Sequence, residues 1–221
     1  MVLEILVPVS TMSVIQQEVP YELRSKFVPI VERGYKIARA ALNGIPFLDW
    51  EIGRFHEGYL RPIAIQYLFQ REISLGRLEV KCSIESNSKK TAKYLQLHTD
   101  SAIITISQVQ SLGAIARHAY YRKKMQEANQ YRFDFFDENS RGLIQNQPHY
   151  LLLTHGYGSS TPDFINLGMP NGYRWIEEPI NLLKEPRLVV NDEKQEAEEV
   201  IKPELLVEFR EFVQEVEEGE K

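Results

Sequence analysis

The spacing of the apolar residues changes near residue 76, and this change most restricts what the chain can fold into. Over residues 23–42 and 60–69, apolar side chains recur every three or four positions, which is the spacing of amphipathic helices. Over residues 78–85 they alternate with polar side chains, which is the pattern of a strand with one face in water. Helices followed by strands, instead of strict alternation of the two, predict an α+β fold.

The strands that follow the helices are closely spaced. Residues 94–98 and 103–109 have strand-like composition and are joined by short polar turns, which favours an antiparallel meander. Residues 150–154 predict a buried strand, and residues 2–9 predict a short strand before the helices. Residues 110–129 return to helical spacing. We therefore expect an N-terminal helical layer packed on a mainly antiparallel sheet.

The C-terminal end of the chain predicts a separate amphipathic helix at residues 203–218. Residues 191–202 predict an acidic linker, which leaves residues 1–190 as a single globular domain. Because glutamates crowd the carboxyl end of this helix and oppose its macrodipole, the helix needs a docking surface to be stable. That surface belongs either to this domain or to a second chain, and the second case describes a self-associating assembly or regulatory subunit. The apolar stripe of the helix includes Leu205, Phe209, Phe212 and Val216.

The formal charge is distributed unevenly along the chain. The net charge of −5 combines 15 acidic and 6 basic residues over positions 177–221 with 16 acidic and 20 basic residues before them. A mildly basic body favours an anionic partner. The acidic end then acts either as a competitor for that surface or as a solubilising arm.

Three features of the composition exclude whole classes of protein. The single cysteine excludes an intramolecular disulfide framework and a multi-cysteine zinc module. No apolar stretch approaches the ~20 residues that span a bilayer, so we expect no membrane contact. The first ten residues carry Glu4 and no basic segment, which is atypical of a secretory signal. We therefore expect a soluble cytoplasmic protein without a cofactor.

Basic residues in two regions predict contact with a nucleic-acid backbone. The predicted helix over residues 110–129 interleaves cations with tyrosines, and two adjacent lysines lie in the turn between the first two strands of the meander. Lysine and arginine neutralise phosphates, while tyrosine rings stack on bases. No helix-turn-helix, zinc-finger or RNP pattern accompanies them, so we expect a non-catalytic binding protein without sequence-specific readout. The predicted contact residues are Lys89, Lys90, Arg117, Tyr121, Arg122 and Lys124.

A second hypothesis is a metal-dependent nuclease. Glu79 and Lys81 lie two residues apart on one face of a predicted strand, and this spacing resembles the E-x-K half of the PD-(D/E)-x-K nuclease motif. The resemblance implies that the carboxylate holds Mg²⁺ while the lysine stabilises an anionic transition state. The motif also needs an earlier aspartate, for which Asp49 is the candidate. Cross-strand charge pairing explains the same spacing without catalysis.

The glycine-rich segment after the strand at residues 150–154 is the best candidate for a small-ligand pocket. Its backbone N–H groups suit an anion, but the segment lacks the spacings of a P-loop, a dinucleotide-binding fingerprint and a nucleophile elbow. The histidines show no pair at metal-binding spacing, so we predict no metal site there. The candidate residues are His155, Gly156, Gly158, Ser159 and Ser160.

Overall fold

A computed structural model of the chain describes residues 10–46, 48–129, 148–156 and 159–187. Within these ranges the helices precede most of the strands, as the change in spacing predicts. The helices are α1 (Thr11–Glu18), α2 (Tyr21–Arg24), α3 (Phe27–Gly44), α4 (Glu51–Arg54), α5 (Glu57–Ser74) and α6 (Tyr120–Gln126). The strands are β1 (Lys81–Ser86), β2 (Lys93–His98), β3 (Ala102–Gln108), β4 (His149–His155), β5 (Ile165–Gly168), β6 (Pro170–Asn171), β7 (Arg174–Trp175) and β8 (Ile180–Asn181).

The longest helices, α3 and α5, pack against each other in antiparallel directions. Phe27 at the start of α3 meets Phe69 near the end of α5, with ring centroids 5.2 Å apart in an edge-to-face arrangement. Gly34 lets the two backbones approach, because a Cβ atom at that position would lie only 2.4 Å from Cγ1 of Ile65. The break between α2 and α3 falls before Pro29, which lies in the first turn of α3.

Six strands form one sheet in the order β1-β2-β3-β4-β5-β8. The pair β3 and β4 is parallel, and the other neighbouring pairs are antiparallel. Strands β6 and β7 form a small separate hairpin. The prediction of an α+β fold with a mainly antiparallel sheet is therefore confirmed.

The two faces of this sheet have different chemistry. The inner face packs on the helical layer and carries Leu95, Leu97, Ile104, Leu151 and Leu153, which join Val31, Ile65 and Leu68 of the helices in one core. Because side chains alternate along a strand, the intervening residues point to the opposite, outer face. The outer face carries Tyr94, Gln96, Thr105, Ser107 and Tyr150, and α6 lies against it.

Two predicted elements are shorter than expected. The helix expected over residues 110–129 is wrong for its first half, because residues 110–119 are irregular and α6 begins only at Tyr120. Tertiary contacts replace the helical ladder there, since the Leu112 carbonyl accepts a hydrogen bond from the Asn166 amide at 2.8 Å. The first strand of the meander begins at Lys81 rather than at residue 78, because the Val80 N–H closes a tight turn onto the Leu78 carbonyl.

The remaining predicted elements lie outside the described residues. These are the strand at residues 2–9, the acidic linker at 191–202 and the amphipathic helix at 203–218. Among the helices of the described part, none combines the length and the apolar character needed to cross a bilayer.

Candidate functional site

The turn between β1 and β2 presents two adjacent lysines to solvent. The Asn87 side chain organises this turn: its Oδ1 accepts from the Thr91 N–H at 2.8 Å, and its Nδ2 donates to the Thr91 hydroxyl. Lys90 adopts the left-handed backbone conformation, with φ of 55°. Lys89 and Lys90 are both exposed. The tip is therefore held by its own hydrogen bonds, which leaves the two ammonium groups available for contacts outside the chain.

Helix α6 is fixed to the outer face of the sheet by an aromatic stack. The ring of Tyr121 lies on the ring of Tyr94 in β2, with centroids 3.9 Å apart and planes inclined by 19°. After α6, the Asn129 side chain donates to the Tyr150 carbonyl at 2.7 Å and accepts from the Tyr150 N–H at 2.9 Å. Burial raises the pKa of Tyr121. Tyr94 is the second residue of β2, so the stack places Tyr121 of α6 against the beginning of the strand that follows the β1–β2 turn.

Arg122, one of the predicted contact residues, forms hydrogen bonds within the fold. Its guanidinium donates to the Ser107 hydroxyl and to the Arg117 carbonyl, each at 2.8 Å. The same group lies 4.9 Å from the centroid of the Tyr121 ring. Arg122 and Tyr121 are half-buried, so they position α6 and the segment before it. The sequence pattern alone does not show which residues of a basic helix are half-buried and which are exposed.

The exposed cations of this region form what we call the basic surface: Lys89, Lys90, Arg117, Lys123 and Lys124. None of the five forms an ion pair with any other residue in the part of the chain that the structure describes. Positions 81–129 hold eight basic and three acidic residues. Lys123 was missed among the predicted contact residues, although it adjoins Lys124 and is likewise exposed. Tyr94 was also missed. Its alternation with the apolar Leu95 in the sequence was the available signal that it lies on the other face of the strand.

The residues of the nuclease hypothesis are not assembled into a metal site. Glu79 lies before β1 and is exposed, so the expectation that it shares a strand face with Lys81 is wrong. Asp49 pairs with Arg54, with Oδ1 and Nη2 2.8 Å apart. Over the described ranges, no group of three or more histidine, cysteine, aspartate or glutamate residues is placed to hold a metal ion.

His155, from the predicted ligand loop, belongs to a buried cluster between β4 and α3. Its Nδ1 lies 2.9 Å from the hydroxyl oxygen of Tyr35, and that hydroxyl also donates to the Gly156 carbonyl. The Tyr35 hydroxyl has one proton and donates it to Gly156, so it can only accept from His155. The neutral imidazole therefore carries its proton on Nδ1. The Arg61 guanidinium lies 4.6 Å from the centroid of the Tyr35 ring and pairs with Glu57 at 2.7 Å.

Burial controls the protonation of this cluster. Desolvation lowers the pKa of His155 to about 4, and the nearby Arg61 charge acts in the same direction, while a hydrogen bond with the Gly156 backbone opposes both. Desolvation also raises the pKa of Tyr35. Both groups are therefore neutral near pH 7. A neutral, fully enclosed imidazole bonded to a tyrosine is a packing arrangement of the junction between α3 and β4.

The other described residues of the predicted loop differ in their surroundings. Gly156 packs against Phe164, since a Cβ atom at that glycine would lie 3.0 Å from the ring. Ser159 donates to the Asp163 carboxylate at 3.0 Å, and Ser160 is exposed. Gly158 lies outside the described residues. Among the predicted nucleic-acid contact residues, Lys89, Lys90, Arg117 and Lys124 are exposed.

Comparison with protein-family models, with curated proteins and with solved structures gives no match. A function must therefore be inferred from the residues themselves. The basic surface can attract anions over a distance and can contact several phosphates at once.

Proposed function

We propose that this chain is a non-catalytic binding protein that contacts the phosphate backbone of nucleic acid through the basic surface. The observation that carries the proposal is that five exposed cations, in the β1–β2 turn, in the segment before α6 and on α6 itself, lack a carboxylate partner among the described residues. The Tyr94–Tyr121 stack, with centroids 3.9 Å apart, joins those elements rigidly. A polyanion would supply the missing partners.

The chemistry of the surface favours backbone contact over base readout. Its charged groups are mostly lysine ammoniums, which act as point charges, whereas arginine forks are the usual readers of guanine edges. Tyr120 exposes its ring beside Lys123 and Lys124, and an exposed ring offers a stacking platform for an unpaired base. We therefore expect a preference for single-stranded over double-stranded ligands.

An intracellular, cytoplasmic location suits this proposal. Cys82 is a free thiol, which is typical of proteins kept in a reducing compartment. Burial raises the pKa of this thiol, so its reactive thiolate form is disfavoured near neutral pH.

The test is fluorescence anisotropy with labelled oligonucleotides at salt concentrations from 50 to 200 mM. The double variant Lys123→Gln with Lys124→Gln should weaken binding at low salt by about tenfold and reduce the slope of log K against log [salt] by about 1.5. The matched control is Lys36→Gln with Lys184→Gln, which removes two exposed lysines elsewhere and makes the same change in net charge.

Two outcomes would contradict the proposal. Equal weakening by the test and control variants would assign the binding to net charge alone, and absence of any salt-dependent binding would remove the function. The same samples with added Mg²⁺, resolved on a gel, address the nuclease alternative. Cleavage that is lost in Glu79→Gln would replace the proposed binding function with catalysis.

A further inference from the structure

Exposed apolar side chains lie at and just before the start of α5 and on the edge strand β1, and we call them together the α5–β1 groove. Phe55, Tyr59 and Ile63 follow one another at four-residue spacing, and their exposed fractions are 81%, 73% and 54%. Ile84 of β1 is 40% exposed, and α5 and β1 are in contact. Apolar side chains spaced in this way usually mark a surface that another element covers.

The geometry of the sheet explains why this groove is open. Strand β1 is the edge strand, and its inner-face residues Cys82 and Ile84 lie opposite Leu97 and Leu95. Gln66 of α5 accepts the Leu95 N–H at 2.8 Å, so α5 lies over β2. Ile63 is one helical turn before Gln66. On the inner face of β1, Cys82 packs against the core, whereas Ile84 stays partly exposed.

We propose that the α5–β1 groove is the docking site for residues 203–218 of the same chain. This segment has an apolar stripe of the right kind, with Leu205, Phe209, Phe212 and Val216 at helical spacing. An amphipathic helix binds a groove through side chains at i, i+3, i+4 and i+7. Docking would extend the helical layer by one helix and cover the edge of the sheet.

Charge complementarity selects this segment as the occupant. Residues 203–218 contain six glutamates and one arginine. The β1–β2 turn beside the groove carries Lys89 and Lys90, both exposed. A helix lying in the groove would place acidic side chains near those lysines, and opposite charges at that range attract. The acidic character that makes residues 203–218 unstable as an isolated helix thus favours them at this position.

The length of the connecting chain permits the docking. Arg187 is held on α3 by Glu32, with Nη2 and Oε1 2.7 Å apart. The 15 residues from 188 to 202 span up to ~50 Å when extended, at ~3.3 Å per residue. A domain of this size has a radius of gyration of about 16 Å. The connection therefore reaches any side of the domain, and charge and shape determine the position.

The first test identifies the occupant by photo-crosslinking in the full chain. Benzoylphenylalanine replaces Tyr59, and the protein is irradiated as a mixture of isotopically light and heavy copies. The expected product has monomer mass, with the crosslink mapped to residues 203–218 of the same copy. Crosslinks between light and heavy copies would overturn the proposal in favour of self-association. Absence of any crosslink to residues 203–218 would overturn it as well.

The second test uses Cys82, the single cysteine of the chain, as a reporter on the inner face of β1. Phe209→Asp with Phe212→Asp should increase the rate of Cys82 alkylation by about tenfold, because the groove is then uncovered. Asn191→Asp with Gln195→Asp is the control, since it adds the same two negative charges outside residues 203–218. An unchanged alkylation rate in the aspartate variant would contradict the docking. Glutamates docked near Lys89 and Lys90 would compete with phosphate for those two lysines. The alkylation assay contains no oligonucleotide, so failure of the docking is distinguishable from failure of the proposed binding.

Discussion

The two sides of the sheet differ in whether their cationic side chains are paired with carboxylates. On the helical side, arginines pair with carboxylates: Arg24 with Glu185, Arg33 with Glu72, and Arg61 with Glu57, at N–O distances of 2.6 to 2.7 Å. On the outer side, the five cations of the basic surface have no such partner within the described ranges. Positions 10–80 contain nine basic and eight acidic residues, against eight and three for positions 81–129.

This difference separates charges that serve the fold from charges that face outward. Pairing on the helical side satisfies groups that burial would otherwise leave unpaired. Clustered cations on the outer side repel one another weakly and contribute nothing to packing. The anionic ligand proposed above would give these cations partners, and each prediction below tests one side of the comparison.

The largest expected effect concerns the apolar core. Phe69→Ala should lower the free energy of unfolding by about 3–5 kcal/mol, because it removes a buried ring that packs on Phe27 and leaves a cavity. Tyr121→Ala on the outer side should cost only about 1–2 kcal/mol, since the stack with Tyr94 is partly solvated. Urea denaturation measures both. Equal losses would mean that the outer layer is a second core.

The next effect is the pH dependence of stability that arises from His155. Its pKa is about 4 in the fold, lowered by burial, against 6.5 for an unperturbed histidine. The folded state therefore favours the neutral ring, so this stabilisation is complete above pH 6.5 and is lost as the pH falls towards 4. The loss amounts to about 3 kcal/mol.

Urea denaturation between pH 7 and 4.5 measures this dependence. His155→Gln should flatten the fall in stability relative to the unchanged chain, whatever its effect at pH 7. His56→Gln, at an exposed histidine, is the control and should leave the slope unchanged. Identical slopes in all three proteins would show that His155 does not titrate in this range.

The sequence predicted most of the fold because periodicity records which face of an element is buried. The four-residue spacing of α5 and the alternation in β2 are direct consequences of packing on one side. The helix predicted over residues 110–129 began too early in the chain. Its first half is held instead by a hydrogen bond from Asn166 to the Leu112 carbonyl, which joins residues 54 positions apart. A local pattern carries no record of such a distant partner.

The candidate site was predicted less completely, for a related reason. Lysine and arginine look alike in a charge count, but Arg122 is held by Ser107 and by Arg117, whereas Lys124 is exposed. His155 looked like a loop residue open to a ligand, yet Tyr35 of α3, 120 positions away, encloses it. Exposure depends on tertiary contacts, so the sequence could give the residue types of the site but not their roles.

A smaller effect distinguishes paired from unpaired cations. Arg24→Met should cost about 1–3 kcal/mol, because the Glu185 carboxylate loses a partner that donates three hydrogen bonds to it. Lys124→Met should change the free energy of unfolding by less than about 0.5 kcal/mol, as expected for a surface residue without contacts. Urea denaturation of the two variants makes the comparison. A large loss for Lys124→Met would reveal a hidden structural partner and weaken the assignment of the basic surface.

The smallest expected effect comes from an acidic residue beside the basic surface. Glu85 lies opposite Tyr94 on the outer face, and its carboxylate accepts from the Ser83 hydroxyl at 3.0 Å. Glu85→Gln keeps that acceptor and removes a charge that repels phosphate, so oligonucleotide affinity at low salt should rise about two- to threefold. Anisotropy titration measures the change, with Glu22→Gln on α2 as the control. Equal gains in both variants would show that the ligand senses the net charge of the chain, whereas a gain confined to Glu85→Gln would locate the ligand on the outer side of the sheet.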